Sequence, residues 1–170
     1  MKVQFLTMWS VVHRPWSIVP SYICPMIKIN YPEPVFRFKE ENGKEMIFDF
    51  IRKQWLVLNE EEWVRQNFVQ FLVQEMKYPV ELIGLEKEIQ LGELRKRFDI
   101  LVYSRDHKPW MLIECKAGEI SLDEKVLMQV LRYNISMPAN FLVITNGHFT
   151  YAWEKTGGEL KELQQMPVWR

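Results

Sequence analysis

Cysteine is scarce in this sequence: the 170 residues contain only Cys24 and Cys115, and neither lies in a C-x-x-C pair. Two cysteines are too few for the disulfide framework of a secreted scaffold, so we expect a reducing, cytoplasmic environment. No apolar run approaches the roughly 18 residues that are needed to cross a bilayer, so we expect no membrane association.

An excess of charge of one sign is also lacking, because 22 lysine and arginine residues balance 22 aspartate and glutamate residues. This balance excludes a uniformly basic coat for nucleic acid, although it leaves room for a local basic patch. Apolar residues make up 48% of the chain. The composition therefore indicates a folded protein with a real core, and the length fits one domain.

Residues 1–25 differ from the rest, since they hold two tryptophans, three prolines and no acidic residue. A signal peptide would need an unbroken apolar core, and here Gln4, Thr7 and Ser10 interrupt it. We therefore predict no secretion. Two hypotheses stay open for this extension: it is native to the protein, or Met26 is the true start and the extension is upstream translated sequence.

The pattern that follows predicts a hairpin and then a helix. Alternating runs within residues 35–49 flank Asn42-Gly43, a dipeptide suited to the positive φ angles of a type I′ turn. Helical spacing over residues 59–76 begins at Asn59, a good N-cap, and continues with glutamates that suit the helix dipole. The predicted divisions are an irregular extension at 1–25, a hairpin segment at 26–58 and a core domain at 59–170.

The predicted core alternates strands and helices. Strands are predicted at 82–91, 98–103, 110–116, 141–145 and 148–154, and a second helix at 122–135. Because that helix joins two strands as a crossover, we expect a mixed sheet with helices packed on it, an α/β (α+β) architecture.

Three charged residues interrupt two otherwise apolar strands of this core. Asp99 lies in FDILVY, and Glu114 and Lys116 lie in WMLIECK. Alternation along a strand sends Glu114 and Lys116 to one face, and antiparallel pairing through the intervening turn can bring Asp99 beside them. A purely structural ion pair is the alternative, but buried pairs add little stability, so the pattern favours a functional site.

Two carboxylates in one place suit a hard divalent cation such as Mg²⁺, with Mn²⁺ as a substitute, which keeps several waters. Such a metal activates bound water and neutralises charge that develops on a phosphate. Lys116 would orient that water or stabilise the transition state.

The run RFDILVYSRDHKPWMLIECKAG at residues 97–118 resembles the PD-(D/E)xK nuclease superfamily. More narrowly, the chain resembles the N-terminal nuclease domain of type I restriction enzyme R subunits and small stand-alone proteins similar to it. Four further segments lie along the chain in the order that the family shows: EEWVRQ, YPVELIGLEKEI, QVLRY and FLVITNG. The resemblance covers about residues 33–155. Two positions depart from the pattern, since Phe98 replaces the usual proline and Gly118 stands where many relatives have proline.

The resemblance implies a PD-(D/E)xK restriction-endonuclease-like core with flanking helices and an N-terminal β-hairpin. It also implies roles for residues of this chain. Asp99, Glu114 and the Cys115 carbonyl would hold the metal, and Lys116 would be the catalytic lysine.

Three further residues are candidates through the same resemblance. Gln129 and Tyr133 match a Q-x-x-x-Y element that positions the nucleic-acid strand or the lysine in some branches, and Glu62 resembles an acidic residue that completes the metal site. The structural alternatives are a solvated helix face with a packed tyrosine, and a glutamate that favours the first turn of a helix. Arg65 is expected to be solvated unless it contacts phosphate. Glu86 and Glu88 are expected to face the surface, and the alternative is that one of them approaches the metal.

The sequence thus predicts a Mg²⁺-dependent DNA nuclease. It contains no G-x-x-x-x-G-K-[ST] motif, so any ATP-driven translocation would require a motor subunit as partner, and a specificity subunit or a homodimer would supply further DNA contacts. Two alternatives stay open: a catalytically silent nucleic-acid-binding or assembly module of the same fold, and a purely structural subunit of a larger complex.

Overall fold

The computed structural model describes residues 26–91, 94–157 and 159–169, and the predictions for residues 1–25 lie outside this range. The strands are β1 Phe38–Glu41, β2 Lys44–Asp49, β3 Gln54–Val57, β4 Ile83–Leu91, β5 Leu94–Tyr103, β6 Pro109–Cys115, β7 Phe141–Thr145, β8 Thr150–Thr156 and β9 Glu159–Leu163. The helices are α1 Glu60–Gln70, which continues into a π-helical turn at Phe71–Glu75, and α2 Glu124–Ser136; a 3₁₀ turn at Val80–Leu82 precedes β4.

The first three strands form a separate antiparallel sheet in the order β1-β2-β3. Asn42 and Gly43 connect β1 to β2 with φ angles of 53° and 71°, which confirms the predicted turn and its chemical reason. Strand β3 is an addition to the predicted hairpin. Its four residues, QWLV, are too few to show a reliable alternation.

The second sheet has six strands in the order β4-β5-β6-β7-β8-β9. Strands β6 and β7 run parallel, with Met111 opposite Phe141 and Cys115 opposite Thr145, while the other neighbouring pairs are antiparallel. Helix α2 is the crossover between β6 and β7, so the predicted mixed α/β sheet is confirmed. Strand β9 was not predicted because its sequence ELKEL is charged and mostly exposed, as edge strands often are.

The central strands separate two hydrophobic clusters, one beneath each helix. Ile100 and Val102 pack with Phe68 and Leu72 of the α1 segment. Leu101 lies on the other face and packs with residues of α2. Because both faces are covered there, residues 98–103 of β5 are largely buried on both sides, which explains why FDILVY is apolar apart from Asp99.

The N-terminal ends of both helices are capped by short polar side chains. The Asn59 side chain accepts a hydrogen bond from the Glu62 backbone N–H at 2.8 Å, which confirms the predicted N-cap. Asp123 accepts from the backbone N–H groups of Lys125 and Val126. No helix within the described ranges is long and apolar enough to cross a bilayer.

Candidate active site

The β5–β6 hairpin brings the three predicted charged residues together. Ile100 pairs with Ile113, and Asp99 and Glu114 are the next residues on the two strands. The Lys116 Nζ lies 2.6 Å from Glu114 Oε1. Asp99 and Glu114 are only 8% and 3% exposed, so two carboxylates and one ammonium share a largely water-excluded space.

Asp99 occupies an irregular point of the sheet. Phe98 packs in the same cluster as Leu101, so strict alternation of faces fails between them. On the neighbouring strand β4, Glu86 has a positive φ of 46°, which is rare for a residue other than glycine and asparagine. Non-glycine residues with such backbone angles occur often at functional sites, and this one lies beside the Asp99 position.

Asp99 is anchored by the backbone of the next strand. Its Oδ2 accepts a hydrogen bond from the Cys115 N–H at 2.7 Å. Because the N–H and C=O of one strand residue lie on the same edge of the strand, the Cys115 carbonyl also lies on the edge that faces β5. The Cys115 thiol itself is buried in the α1-side cluster.

Glu114 is held from helix α2. Gln129 Nε2 donates to Glu114 Oε1 at 2.6 Å and to the Tyr133 hydroxyl at 2.9 Å. The predicted sharing of one helix face by Gln129 and Tyr133 is therefore observed, and that face points at the carboxylate pair. The other Glu114 oxygen, Oε2, is buried and has no hydrogen-bond partner within the described part of the chain.

Burial dominates the electrostatics of this site. Burial, with the neighbouring Asp99 charge, raises the pKa of Glu114 to about 7. Burial also raises the pKa of Asp99, against the opposing influence of Arg65. Burial disfavours the charged form of Lys116, but the Glu114 hydrogen bond and charge outweigh it and raise the lysine pKa. Lys116 is therefore an ammonium at neutral pH.

A network of buried ion pairs surrounds Asp99 on the α1 side. Arg65 is 3% exposed, so the expectation that it is solvated was wrong. Its guanidinium contacts Asp99 Oδ1 at 3.1 Å and Glu86 Oε1 at 3.2 Å, and it also bonds Glu62. Glu86 was expected to face the surface, but it lies in this network, also bonded by Arg52.

Asp49 and Arg52 belong to the same network and were not predicted. Asp49 is fully buried at the end of β2, and its carboxylate accepts from the backbone of the following turn and from the Arg52 guanidinium. Arg52 then reaches Glu86 and, at 3.4 Å, Glu62. Asp49 and Arg52 are three residues apart, but Glu62 and Glu86 lie 10 and 34 residues beyond Arg52. No local pattern in the sequence indicates that these four residues meet.

The first helix presents two glutamates in different ways. Both oxygens of Glu62 are occupied by Arg65, Gln66 and Arg52. Glu61 is more exposed, and its charge acts on Asp99, Glu114 and Lys116. Glu61 is therefore a site residue that sequence reasoning missed. The role of Glu62 as a metal ligand stays a prediction.

Within the described ranges, no group of three or more histidine, cysteine, aspartate or glutamate side chains is arranged to hold a metal ion. Mg²⁺ binds by a different rule, since it commonly uses one or two carboxylates and completes its shell with waters and substrate phosphates. Asp99, Glu114 with its unpartnered Oε2, and the Cys115 carbonyl fit that rule.

A mixed sheet flanked by two helices, with an E-x-K strand paired to a strand that carries a buried aspartate, defines a restriction-endonuclease-like fold of the PD-(D/E)xK class. Comparison with protein families then gives a narrower result. The family described as "Type I restriction enzyme R protein N terminus (HSDR_N)" matches residues 60–167. The chain belongs to this family.

Two solved structures show weaker likenesses. One is a fragment of a candidate HsdR subunit of a type I restriction enzyme from Vibrio vulnificus YJ016, with 22% identity and a TM-score of 0.49. It covers 65% of this chain, whereas this chain spans 24% of that fragment. The other is a candidate nuclease belonging to DUF820 from Anabaena variabilis ATCC 29413, with 14% identity, a TM-score of 0.43 and 80% of each chain covered. A search of curated proteins returned no match. Membership therefore rests on the family match.

Proposed function

We propose that this protein is a divalent-metal-dependent nuclease domain that hydrolyses DNA phosphodiester bonds. One observation carries the proposal: the Lys116 ammonium and the adjacent carboxylates of Asp99 and Glu114 are all gathered at one end of the β5–β6 hairpin, in a largely buried setting. Burial of like charges costs stability. Their retention at one point is explained by chemistry that uses them.

The unpartnered oxygen of Glu114 supports a cation at this point. A buried acceptor without a partner costs about 1–3 kcal/mol, and a divalent ion between Asp99 and Glu114 would remove that cost. Bound there, Mg²⁺ would supply an activated water and a counter-charge for the scissile phosphate. The Cys115 carbonyl would be the third protein ligand, and Glu62 stays a candidate for the outer part of the site.

Lys116 acts as a proton donor in hydrogen bonds and as a positive charge, not as a base. Its raised pKa keeps the amine protonated at neutral pH, so it has no lone pair with which to take a proton. Its function is to hold Glu114 and to stabilise the negative charge that builds on the phosphate oxygens when water attacks phosphorus and the bridging P–O bond breaks.

Gln129 and Tyr133 are positioning residues. Gln129 fixes the orientation of Glu114 through its 2.6 Å hydrogen bond, and the Tyr133 hydroxyl in turn accepts from the same amide group. Without this amide, Glu114 Oε1 keeps only Lys116 as a partner. The geometry of the carboxylate would then be less well defined, which lowers the rate more than it lowers substrate binding.

The direct test incubates the purified protein with plasmid and with single-stranded DNA, in Mg²⁺, in Mn²⁺ and in chelator. We expect metal-dependent cleavage that Lys116→Ala abolishes. Lys108→Ala is the matched control, because Lys108 is 78% exposed in the β5–β6 turn. Cleavage that persists in Lys116→Ala would show that the site is wrongly placed or that another nuclease is present.

One contact favours a second candidate, a DNA-binding or assembly module without catalysis. Arg65 already neutralises Asp99 Oδ1 at 3.1 Å, so the aspartate has a counter-charge without metal. This candidate predicts no Mg²⁺ heat signal in titration calorimetry and no cleavage. Binding of Mg²⁺ that Asp99→Asn removes would contradict it.

The family also bears on partners. We propose that the domain works with other subunits of a type I restriction system, such as a motor or a specificity subunit, or as a homodimer. The zero net charge of the chain provides little non-specific attraction for DNA, so additional phosphate contacts from a partner would raise its affinity.

A further inference from the structure

The sheet β1-β2-β3 presents one face away from helix α1. Phe48 pairs with Trp55, and the Phe48 N–H bonds the Arg37 carbonyl, so Arg37, Phe48 and Trp55 form one row across the strands. Lys39, Met46 and Val57 form the next row. Because side chains alternate along strands, these two rows lie on one face of the sheet.

The opposite face of the same sheet is the packed one. Ile47, which alternates with Met46 and Phe48, is completely buried. Phe36, which precedes Arg37, contacts the Trp63 ring of α1 at a centroid distance of 5.3 Å. The rows of Arg37 and Lys39 therefore face outward, and Val57 at their edge is 46% exposed.

This outer sheet face, defined by Arg37, Lys39, Phe48 and Trp55, combines aromatic rings with cations. The Phe48 and Trp55 rings lie 5.3 Å apart in an edge-to-face arrangement. The Arg37 Cζ lies 4.6 Å from the Phe48 ring centroid and 5.5 Å from that of Trp55. The Lys39 Nζ lies 4.9 Å from the Trp55 centroid.

The charge of the face is positive although the whole chain is neutral. Glu41 pairs with Lys44 in the third row and contacts Lys39 at 3.0 Å. These rows therefore carry one carboxylate, that of Glu41, and three cations, those of Arg37, Lys39 and Lys44. Exposed cation–π contacts contribute about 0.5–1 kcal/mol each, which is a small reason to keep rings at the surface. A negatively charged ligand with flat apolar parts explains the combination better.

We propose that the outer sheet face binds single-stranded DNA. One unpaired base stacks on the outer plane of the Arg37 guanidinium, which covers the Phe48 ring. Another stacks on Trp55 when the flexible Lys39 side chain moves from that ring to a phosphate. Duplex DNA hides its base faces inside the helix, so the rings select unpaired strands. This inference deepens the proposed nuclease function, on which it rests for the identity of the polymer, by naming the strand state that the domain holds.

Ion pairs connect the outer sheet face to the candidate active site. Phe48 is followed by Asp49, whose buried carboxylate binds Arg52. Arg52 bonds Glu86, and Glu86 contacts Arg65, which contacts Asp99. A continuous series of ion pairs therefore connects the strand that carries Phe48 to Asp99 of the candidate active site.

The test measures binding of a labelled oligothymidine by fluorescence anisotropy in chelator, where no cleavage occurs. We expect Trp55→Leu to weaken binding about 5- to 150-fold and Trp55→Phe to recover most of it, since one stacked base is lost and then restored. Arg37→Ala and Lys39→Ala should each lower the slope of log affinity against log salt by about 0.7. Lys161→Ala, in exposed β9, should change nothing, and duplex DNA should compete poorly.

Circular dichroism and thermal melting confirm that each variant is folded. Binding by folded Trp55→Leu at the wild-type level would overturn the proposal, and so would equal competition by duplex. The two proposals fail separately. Oligothymidine binding without metal-dependent cleavage contradicts only the nuclease, whereas cleavage without binding through Trp55 contradicts only the outer sheet face.

Discussion

Replacing Glu114 by glutamine tests the electrostatics of the site in the metal-free protein. Burial and the Asp99 charge raise the Glu114 pKa from 4.5 to about 7. Between these two values the folded protein holds a proton that the unfolded chain has released. The free energy of unfolding therefore falls as pH rises through this window, and the loss is complete above pH 7.

The size of the effect follows from the shift. About 2.5 pH units at about 1.36 kcal/mol each give a loss of at most about 3 kcal/mol. Glutamine keeps an acceptor for Gln129 but cannot ionise. The difference in stability between variant and wild type should therefore move by up to about 3 kcal/mol in favour of Glu114→Gln when pH is raised from about 4.5 to 8.

Urea denaturation in chelator at several pH values measures this difference directly. Titrating groups remote from the site are common to the two proteins, so the difference reports Glu114 together with its effect on the neighbouring Asp99 and Lys116. Glu162→Gln is the control, because Glu162 lies exposed on β9. The difference in stability between this variant and the wild type should not change with pH. A flat difference for Glu114→Gln as well would refute the reasoning that Glu114 is ionised at a cost in the folded protein.

Two other perturbations test the scaffold of the site. Arg52→Ala leaves Asp49, which is fully buried, without its cationic partner, and we expect a loss of about 3 kcal/mol in the free energy of unfolding, measured by urea denaturation. Arg52→Lys should restore part of this loss. An unchanged denaturation midpoint in Arg52→Ala would contradict a stabilising role of the ion-pair network. Asn59→Ala removes the acceptor for the Glu62 N–H and should lower the free energy of unfolding by about 1 kcal/mol. Asn59→Asp keeps an acceptor and should change it little. Equal losses of stability in both variants would exclude helix capping as the cause.

Local chemistry in the sequence was enough to predict most of the secondary structure. Asn42-Gly43 specified its turn because few residues tolerate two consecutive positive φ angles, and Asn59 marked the start of α1 because its side chain suits a free backbone N–H. The apolar run FLVIT was recovered as β7 with the same bounds. Strands β3 and β9 escaped prediction, since one is very short and the other is an exposed, charged edge.

The sequence by itself also determined that Glu114 and Lys116 share a face and that Gln129 and Tyr133 share another, because both pairs follow from the periodicity of a strand or a helix. Only the tertiary structure decided which faces meet. It brings Gln129 into hydrogen-bonding contact with Glu114, and Arg65 into an ion pair with Asp99. It also brought Arg52, Glu61 and Glu86 to the site from three separate segments. Contacts between residues distant in the chain depend on how whole elements pack, and no pattern within a single element contains that information.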